Sequence, residues 1–357
     1  GDAAFGVRLV SLTQTLWAEM QLLAERRRWL ELAEARIDET TPPGTRARLR
    51  LAAGRARHVG ERRYLGAALE ARELFRQVGD PLHVGMATIQ AGRLLLRPGD
   101  IAEAEPYLHE AVALLRPFGP TKFLVSALES LFVMSWFACD LDGARVYVEE
   151  LHDMALGLGY APALENITIL RSELLFVAGR RDEAISRARD AQAAWRKGGR
   201  ANSLASSSRN LAGYLLATGD AAGGRAAACE ALRLTDGAHS VAVCIQHLAL
   251  AAAVDGDAIC AAHLAGYADA YFQAENLNRE SIEQSLWLDL CARLEQALPP
   301  DQLTALLDEG AAWSEDEAMT VALSTNQSSI PPVATLPVEI PKSDMPFDFR
   351  LSSGGEP

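Results

Sequence analysis

A small residue recurs every 40 positions along much of this chain, and this spacing constrains the fold more than any other sequence feature. The recurring positions are Ala104, Ala144, Ala184 and Gly224, and the next one, Ala261, follows 37 residues later. Residues 76–79 (RQVG) likewise lie 40 positions before residues 116–119 (RPFG). Self-similarity at a period of this size is typical of repeat proteins built from one small motif per unit. We therefore expect six or seven units of about 40 residues, covering roughly residues 8–274.

Each unit is predicted to be a helix, a tight turn and a second helix. In residues 212–220 (AGYLLATGD), Gly219 can end the first helix in the left-handed conformation, and Asp220 can cap the second. Gly99–Asp100 and Gly256–Asp257 repeat this pair. Aromatic residues make up only 6% of the chain, while helix-favouring alanine and leucine dominate its apolar content. We expect an all-α fold, an α-solenoid of stacked helical hairpins.

One second helix carries conflicting signals at its start. Asp100 and Glu103 form a capping-box pattern, which predicts a helix that begins at Asp100. Pro106 would then lie inside that helix and remove one of its hydrogen bonds. Either the helix begins later or it kinks at the proline.

The period stops near Arg279, which divides the chain into three parts. We assign residues 1–275 to the repeat array and residues 276–323 to a C-terminal helical cap, with helices over 280–298, 301–312 and 314–323. Residues 324–357 are rich in Pro and Ser, and we predict a disordered tail there. The first residue is not methionine, and the start of the chain runs directly into helical periodicity, as in a fragment of a larger protein.

Several segments resemble one family of regulators. They are residues 26–31 (RRRWLE), 179–184 (GRRDEA), 210–217 (NLAGYLLA), 264–270 (LAGYADA) and 310–318 (GAAWSEDEA), together with Arg279, Glu280 and Glu283. Their order over about residues 8–323 is similar to the C-terminal, tetratricopeptide-like repeat region of large bacterial signal-transduction ATPases. The unit is longer than the usual 34 residues of the tetratricopeptide repeat, and most of that repeat's consensus aromatic residues are missing. In those regulators a winged-helix DNA-binding domain and an ATPase domain precede the repeats. The resemblance implies an arm that senses an inducer or a partner and restrains the switch.

Composition argues against several other classes of protein. The net charge is −13, which disfavours direct contact with nucleic acid. No apolar stretch approaches the ~18 residues of a membrane helix, and no signal peptide opens the chain. Five cysteines without a CxxC motif fit reduced thiols, so we expect a cytoplasmic protein. Lysine occurs only at Lys122, Lys197 and Lys342, an arginine bias that we interpret as bacterial origin.

Sequence motifs for catalysis and for metal binding are weak. The chain lacks GxxxxGK[ST], GxSxG and HExxH. Cys244 with His247 and Cys260 with His263 could supply four zinc ligands. In an antiparallel hairpin, however, the two pairs would be offset by on the order of 7–10 Å, too far for zinc bonds of about 2.0–2.3 Å. An acid–base pair among Glu165, Glu173, Asp182 and Glu183 would be hard to distinguish from ordinary surface carboxylates. We expect no enzyme activity, no metal and no cofactor.

The concave groove of the predicted solenoid is the favoured binding site. The first helices are expected to point Arg93, Glu129, Asn166, Glu173, Arg209 and Gln246 into the groove, with Gln90, Asn210 and His247 beside them. Such a mixture of donors and acceptors suits a peptide, a protein helix or a polar small molecule. An alternative holds for each residue separately, namely a solvated side chain or a structural hydrogen bond. Arg209 is predicted to be exposed near the centre of the array, where its substitution would leave the fold intact.

The sequence thus predicts a non-catalytic sensor or protein-interaction scaffold, the regulatory arm of a bacterial transcriptional regulator. Its partners would be a protein or peptide, a small inducer, and the upstream ATPase and DNA-binding domains of the same polypeptide. One alternative is the repeat arm of a nucleotide cyclase or kinase, or a free-standing adaptor. Another, in a different class, is an enzyme built on helical hairpins, which would show a deep cavity with clustered carboxylates or histidines.

Overall fold

The structure, a computed structural model, describes residues 3–19, 22–53, 62–97, 101–235 and 237–324. These residues confirm the all-α prediction, since they form 17 α-helices and two short 3-10 turns. The helices are α1 (Ala3–Glu19), α2 (Leu23–Glu34), α3 (Pro43–Ala53), α4 (Leu65–Gln77), α5 (Pro81–Leu95), α6 (Glu105–Leu115), α7 (Lys122–Phe137), α8 (Leu141–Leu158), α9 (Ala161–Val177), α10 (Arg181–Gly198), α11 (Ala201–Ala217), α12 (Ala221–Leu234), α13 (Ala238–Val254), α14 (Ala258–Ala274), α15 (Ser281–Ala297), α16 (Pro300–Ala311) and α17 (Glu315–Ser324). From α1 to α16 each helix packs on the next along the chain, as in a solenoid, and α17 packs back on α13 and α14. Within the described ranges, every helix is too short or too polar to cross a membrane.

Residues with positive φ mark the helix ends at a regular interval. Seven glycines have a positive φ angle: Gly79, Gly119, Gly159, Gly179, Gly199, Gly219 and Gly256. Cys139 and Asn276 adopt the same conformation without being glycine, with φ of 58° and 50°. From Gly119 to Gly219 these ends follow one another every 20 residues, so each 40-residue unit contains two helices of similar length. Where Asp follows the positive-φ residue, its side chain caps the next helix, as Asp220 does by accepting from Gly223 N at 2.8 Å.

The recurring small residues lie where two helices of one unit approach each other. Ala104, Ala144, Ala184 and Ala261 are fully buried. At the equivalent Gly224, a Cβ atom would lie 2.6 Å from Leu216 Cγ and 3.2 Å from the carbonyl oxygen of Ala212. A small residue therefore recurs every 40 positions because the contact between paired helices leaves no room for a larger side chain.

The first helices of successive units form the inner side of the array. We define the first helices as α5, α7, α9, α11 and α13, with α15 continuing the series, and the second helices as α6, α8, α10, α12 and α14. Helix α5 packs against α7, α9 against α11, α11 against α13, and α13 against α15. Among the described residues, no two successive second helices pack together to the same degree. Because the first helices lie closer together, the stack curves toward them.

Ion pairs that recur with the repeat link α4 to α6, the end of α6 to α8, and α10 to α12. Arg76 pairs with Glu110 at 3.3 Å, Arg116 with Glu150 at 3.0 Å, and Arg196 with Glu230 at 2.6 Å. From one ion pair to the next, the arginine and the glutamate both lie 40 or 80 residues further along the sequence. Exposed pairs of this kind contribute little to stability, typically under about 1 kcal/mol. The outer side is therefore a surface of solvated ion pairs.

The structure distinguishes the two alternatives at Pro106 and agrees closely with other predicted helices. The later start is confirmed over the start at Asp100, because α6 begins at Glu105 and Pro106 lies in its first turn, where a missing N–H is tolerated. Asp100 itself lies outside the described residues. The three predicted cap helices agree with α15, α16 and α17 to within one residue at each end. The predicted disordered tail falls outside the described residues, apart from Ser324.

Candidate functional site

A small polar pocket lies on the inner side of the array, where five helices converge. Its lining comes from α7 (Trp136), α9 (Glu173), α11 (Arg209, Asn210, Gly213 and Tyr214), α13 (His247), and the residues that begin α15 (Glu280, Ile282 and Glu283). The cavity volume is about 30 Å³. One water needs roughly 10–15 Å³ on the same scale, so the pocket has room for about two waters or one group of similar size. We call it the inner pocket.

A hydrogen bond between distant parts of the chain closes one wall of the inner pocket. Trp136, near the end of α7, donates from Nε1 to Glu280 Oε2 at 3.2 Å, across 144 residues of sequence. Glu280 is also the N-cap residue of α15, and Glu283 Oε2 accepts from its backbone N–H at 3.2 Å in a capping box. The curvature of the stack therefore brings the end of α7 to the start of α15, and the bond between them forms one side of the inner pocket.

Three carboxyl groups and a single guanidinium group set the charge of the inner pocket. Burial, reinforced by the neighbouring Glu280, raises the pKa of Glu173 to about 8. Burial and the nearby Glu283 raise the pKa of Glu280 to about 7, and burial raises that of Glu283 as well. Arg209 opposes all three shifts, and among the described lining residues it is the only cation. Acidic groups thus outnumber the positive charge that could balance them.

Among the described residues, Arg209 makes no close ion pair. Its Nη1 donates to Ser240 Oγ at 3.2 Å, and its Nε and Nη2 donate to Asn210 Oδ1 at 3.4 and 3.3 Å. Asn210 in turn donates to Glu173. The expectation that Arg209 is an exposed side chain is wrong, because it is only partly accessible and lies among buried carboxyl groups.

His247 is buried in the wall of the inner pocket and has no partner for either ring nitrogen. Only 2% of the residue is exposed, and neither Nδ1 nor Nε2 has a hydrogen-bond partner among the described residues. Burial, with a smaller contribution from Arg209, lowers its pKa to about 3, so the ring is neutral at pH 7. A neutral imidazole offers one donor and one acceptor, and leaving both unsatisfied in a buried site costs roughly 1–3 kcal/mol for each group. The inner pocket therefore contains hydrogen-bonding capacity that the protein itself does not use.

Only two of the six predicted groove residues line the inner pocket, Glu173 and Arg209. Arg93, Glu129 and Asn166 form a separate group on α5, α7 and α9. There Asn166 Nδ2 donates to Glu129 Oε1 at 3.1 Å, and burial raises the pKa of Glu129 against the opposing charge of Arg93. The Asn166–Glu129 and Asn210–Glu173 bonds both span 37 residues, so the same contact recurs between successive first helices.

The sixth predicted residue, Gln246, is buried and engaged at both ends of its amide. It donates to the carbonyl oxygen of Glu283 at 2.8 Å and accepts from Arg279 Nε at 2.7 Å. Arg279 also pairs with Asp269 at 2.9 Å and lies over the rings of Phe272 and Trp287. Gln246 thus ties α13 to the start of α15 and supports the inner pocket without lining it. Of the three residues expected beside the groove, Asn210 and His247 line the pocket, and Gln90 is buried on α5.

Sequence reasoning did not assign Trp136, Glu280 and Glu283 to the site. Glu280 and Glu283 stood in a recognisable motif at the predicted start of the cap, and their capping-box spacing was the available signal. Trp136 had no such signal, because its contact depends on the curvature of four successive units.

The two Cys–His pairs lie in different surroundings. Cys244 is fully buried on α13 near His247, whereas His263 on α14 is 2.9 Å from Glu309 Oε2 on α16. Within the described ranges, no group of three or more His, Cys, Asp or Glu side chains is arranged to hold a metal ion.

A second cavity of about 330 Å³ lies between α14, α15 and α16. Its walls combine apolar side chains such as Trp287 and Leu307 with the carboxyl groups of Asp269, Glu295 and Asp308.

Comparison with known proteins identifies no family for the chain. No protein-family profile matches it, and no curated protein has a similar sequence.

Proposed function

We propose that this chain is a non-catalytic binding scaffold that receives a partner or a small inducer on the inner side of its helical repeats. The observation that supports this most directly is His247, a buried imidazole with two unused hydrogen-bonding atoms beside a cluster of charged groups. Buried polar groups are ordinarily satisfied by the protein or by ordered water. A site that buries several charges and leaves donors unused is costly for the fold, which favours a binding role.

The resemblance to bacterial signal-transduction ATPases gives this scaffold a place within a larger protein. We propose that it is the regulatory arm of a bacterial transcriptional regulator, in which occupancy of the inner side alters restraint of upstream ATPase and DNA-binding domains. A nucleotide cyclase, a kinase or a free-standing adaptor could use the same array. The domains encoded beside this chain in its gene distinguish these alternatives directly.

Catalysis is a second candidate because the pKa values of Glu173 and Glu280 lie near neutrality, where general acids and bases act efficiently. The size of the inner pocket favours binding instead. A volume of about 30 Å³ suits one small head group better than a substrate together with an attacking group.

Site-specific photocrosslinking tests the binding role. Ser206 is exposed on α11, on the same face as Arg209 and Gly213, and Arg189 is exposed on α10, a second helix. A benzoylphenylalanine at Ser206 should capture a partner from a lysate of the source cells, and the same group at Arg189 should not. Equal capture at both positions, or capture only at Arg189, would contradict the assignment of the inner side as the binding surface.

A further inference from the structure

The inner pocket contains more ionisable carboxyl groups than cations to balance them. Glu173 enters from α9, Glu280 and Glu283 from the start of α15, and Arg209 from α11. His247 from α13 is neutral at pH 7, and Tyr214 from α11 has a pKa raised well above its usual range by burial. Arg279, the next nearest cation, is already paired with Asp269. With all three carboxyl groups ionised, the pocket would have an excess of two negative charges.

The unused atoms of the inner pocket suit a donor better than an acceptor. Ionised carboxylates accept hydrogen bonds only, the neutral imidazole of His247 offers one acceptor nitrogen and one donor N–H, and the hydroxyl of Tyr214 can donate or accept, so acceptors outnumber donors in the pocket. A group with several N–H donors and a positive charge would satisfy both the charge excess and the acceptor nitrogen of His247. A metal ion fits less well, since no three such side chains within the described ranges are arranged as metal ligands.

Size narrows the choice among cationic groups. A volume of about 30 Å³ accommodates an ammonium head of roughly the size of a water molecule. The planar guanidinium group, with three nitrogens, is larger. Gly213 keeps this space open, because a Cβ atom at that position would lie 3.4 Å from His247 Nε2 and 3.5 Å from Ile282 Cγ2.

We propose that the inner pocket binds a primary alkylammonium group, with Glu173, Glu280 and Glu283 as charged acceptors and a ring nitrogen of His247 as a neutral one. This inference rests on the proposed binding role of the inner side and specifies its ligand chemistry. The ammonium group belongs either to a free small amine or to a lysine side chain of a partner, and the two sources share the same head group.

Proton release provides a signature of this binding. In the empty pocket the raised pKa values of Glu173 and Glu280 mean that these groups retain protons near pH 7. A bound ammonium replaces those protons as the balancing positive charge, so binding should release protons and tighten as the pH rises. Arg209, Glu283 and His247 face the same space; Arg209 stays charged and His247 stays neutral between pH 6.5 and 8.5, so the released protons come from Glu173 and Glu280.

Isothermal titration of the full 357-residue chain tests the proposal. The probes are methylammonium, putrescine and an acetylated, amidated tripeptide with a central lysine. Tetramethylammonium, which lacks N–H donors, and magnesium chloride are the controls. We expect saturable binding of at least one primary amine, at least fivefold tighter at pH 8.5 than at pH 6.5, and none by the controls. Binding of putrescine without the peptide would indicate a free amine, and the reverse would indicate a partner lysine.

Matched variants separate the pocket from general effects of charge. Glu173→Gln should weaken amine binding at least tenfold, whereas Glu129→Gln removes an equally buried carboxyl group, bonded to asparagine in the same way, outside the pocket and should leave binding unchanged. Gly213→Ala adds a methyl group beside His247 and favours the helix, so it should weaken binding at least fivefold in a folded protein.

Three results would overturn the proposal. They are no saturable binding of any primary amine, equal binding of tetramethylammonium, and equal weakening by Glu129→Gln and Glu173→Gln. If amines do not bind while Ser206 still crosslinks to a partner, the ligand chemistry is wrong and the binding role of the inner side stands. If Ser206 captures nothing while amines bind as described, the partner surface is wrong and the pocket stands.

Discussion

The indole nitrogen of Trp136 donates to the carboxylate of Glu280 at 3.2 Å, joining α7 to the start of α15 across four repeat units. This contact encloses the inner pocket and depends on the accumulated curvature of the intervening helices. A hydrogen bond to a charged group contributes roughly 1.5–3 kcal/mol when it is shielded.

Replacing Trp136 tests that contact. Trp136→Phe retains an aromatic side chain and removes the donor, so the free energy of unfolding should fall by about 1–3 kcal/mol. Urea denaturation measures the change. Trp29→Phe, at an exposed position on α2, is the control and should change stability by no more than about 0.5 kcal/mol. An unchanged midpoint in Trp136→Phe would mean that the contact adds nothing to stability.

Stability should fall as the pH rises above neutrality. The pKa values of Glu173 and Glu280 are raised to about 8 and about 7, so the folded state binds more protons than the unfolded state between about pH 4.5 and 8. Stability from a raised pKa is lost as the pH rises through the folded value, here on the order of 2 kcal/mol between pH 6.5 and 8.5. The pKa of His247 is lowered to about 3, so this residue affects the pH dependence of stability only below about pH 6.5. Urea melts across this range should show the decline, and Glu173→Gln should flatten it.

Removing Arg209 should destabilise the protein in a pH-dependent manner. Arg209→Ala eliminates the cation that the described lining residues place among three carboxyl groups, so we expect a loss of about 2 kcal/mol at pH 8.5. At pH 5.5 Glu173 and Glu280 are largely protonated, and the loss should be less than half as large. Paired urea melts at the two pH values give the comparison, with the exposed Arg189→Ala on α10 as the control. Equal losses at both pH values would show that Arg209 contributes through packing alone.

Enlarging Ala184 should disrupt a helix pair. The residue is fully buried in the core that includes Ala188 and Leu215, so Ala184→Leu overpacks the site by about 1–3 kcal/mol. Ala193→Leu makes the same change at an exposed position of α10 and should be nearly neutral. Thermal denaturation compares the two variants. Wild-type stability in Ala184→Leu would contradict the steric explanation of the 40-residue period.

Replacing Cys139 by glycine should stabilise the protein. It adopts φ of 58° at a helix end where most equivalent positions are glycine. The left-handed conformation costs a non-glycine residue about 1–2 kcal/mol, offset by the greater entropy that glycine loses on folding. Cys139→Gly should therefore raise the free energy of unfolding by about 0.5–1 kcal/mol in a chemical melt. Cys139→Ala retains the strain and should leave stability unchanged, which separates backbone conformation from side-chain loss.

The helices of this protein and their pairing within each hairpin follow from local patterns in its sequence. Glycines at helix ends, aspartate caps and buried alanines act over a few residues or between the helices of one hairpin, so their spacing predicts helices and their pairing. Most helix bounds could be anticipated from these signals, and the exception at α6 arose because Pro106 outweighed the capping-box pattern.

Contacts between polar side chains of different repeat units depend on the tertiary structure. Arg93, Glu129 and Asn166 occupy positions along the first helices comparable to those of Glu173 and Arg209, yet they form a separate group. Trp136 and Glu280 approach each other because small rotations between neighbouring units add up over the stack, and no local pattern in the sequence records that sum. The same accumulated curvature buries the carboxyl groups, which raises their pKa values, and buries His247 where no described residue bonds to its ring nitrogens.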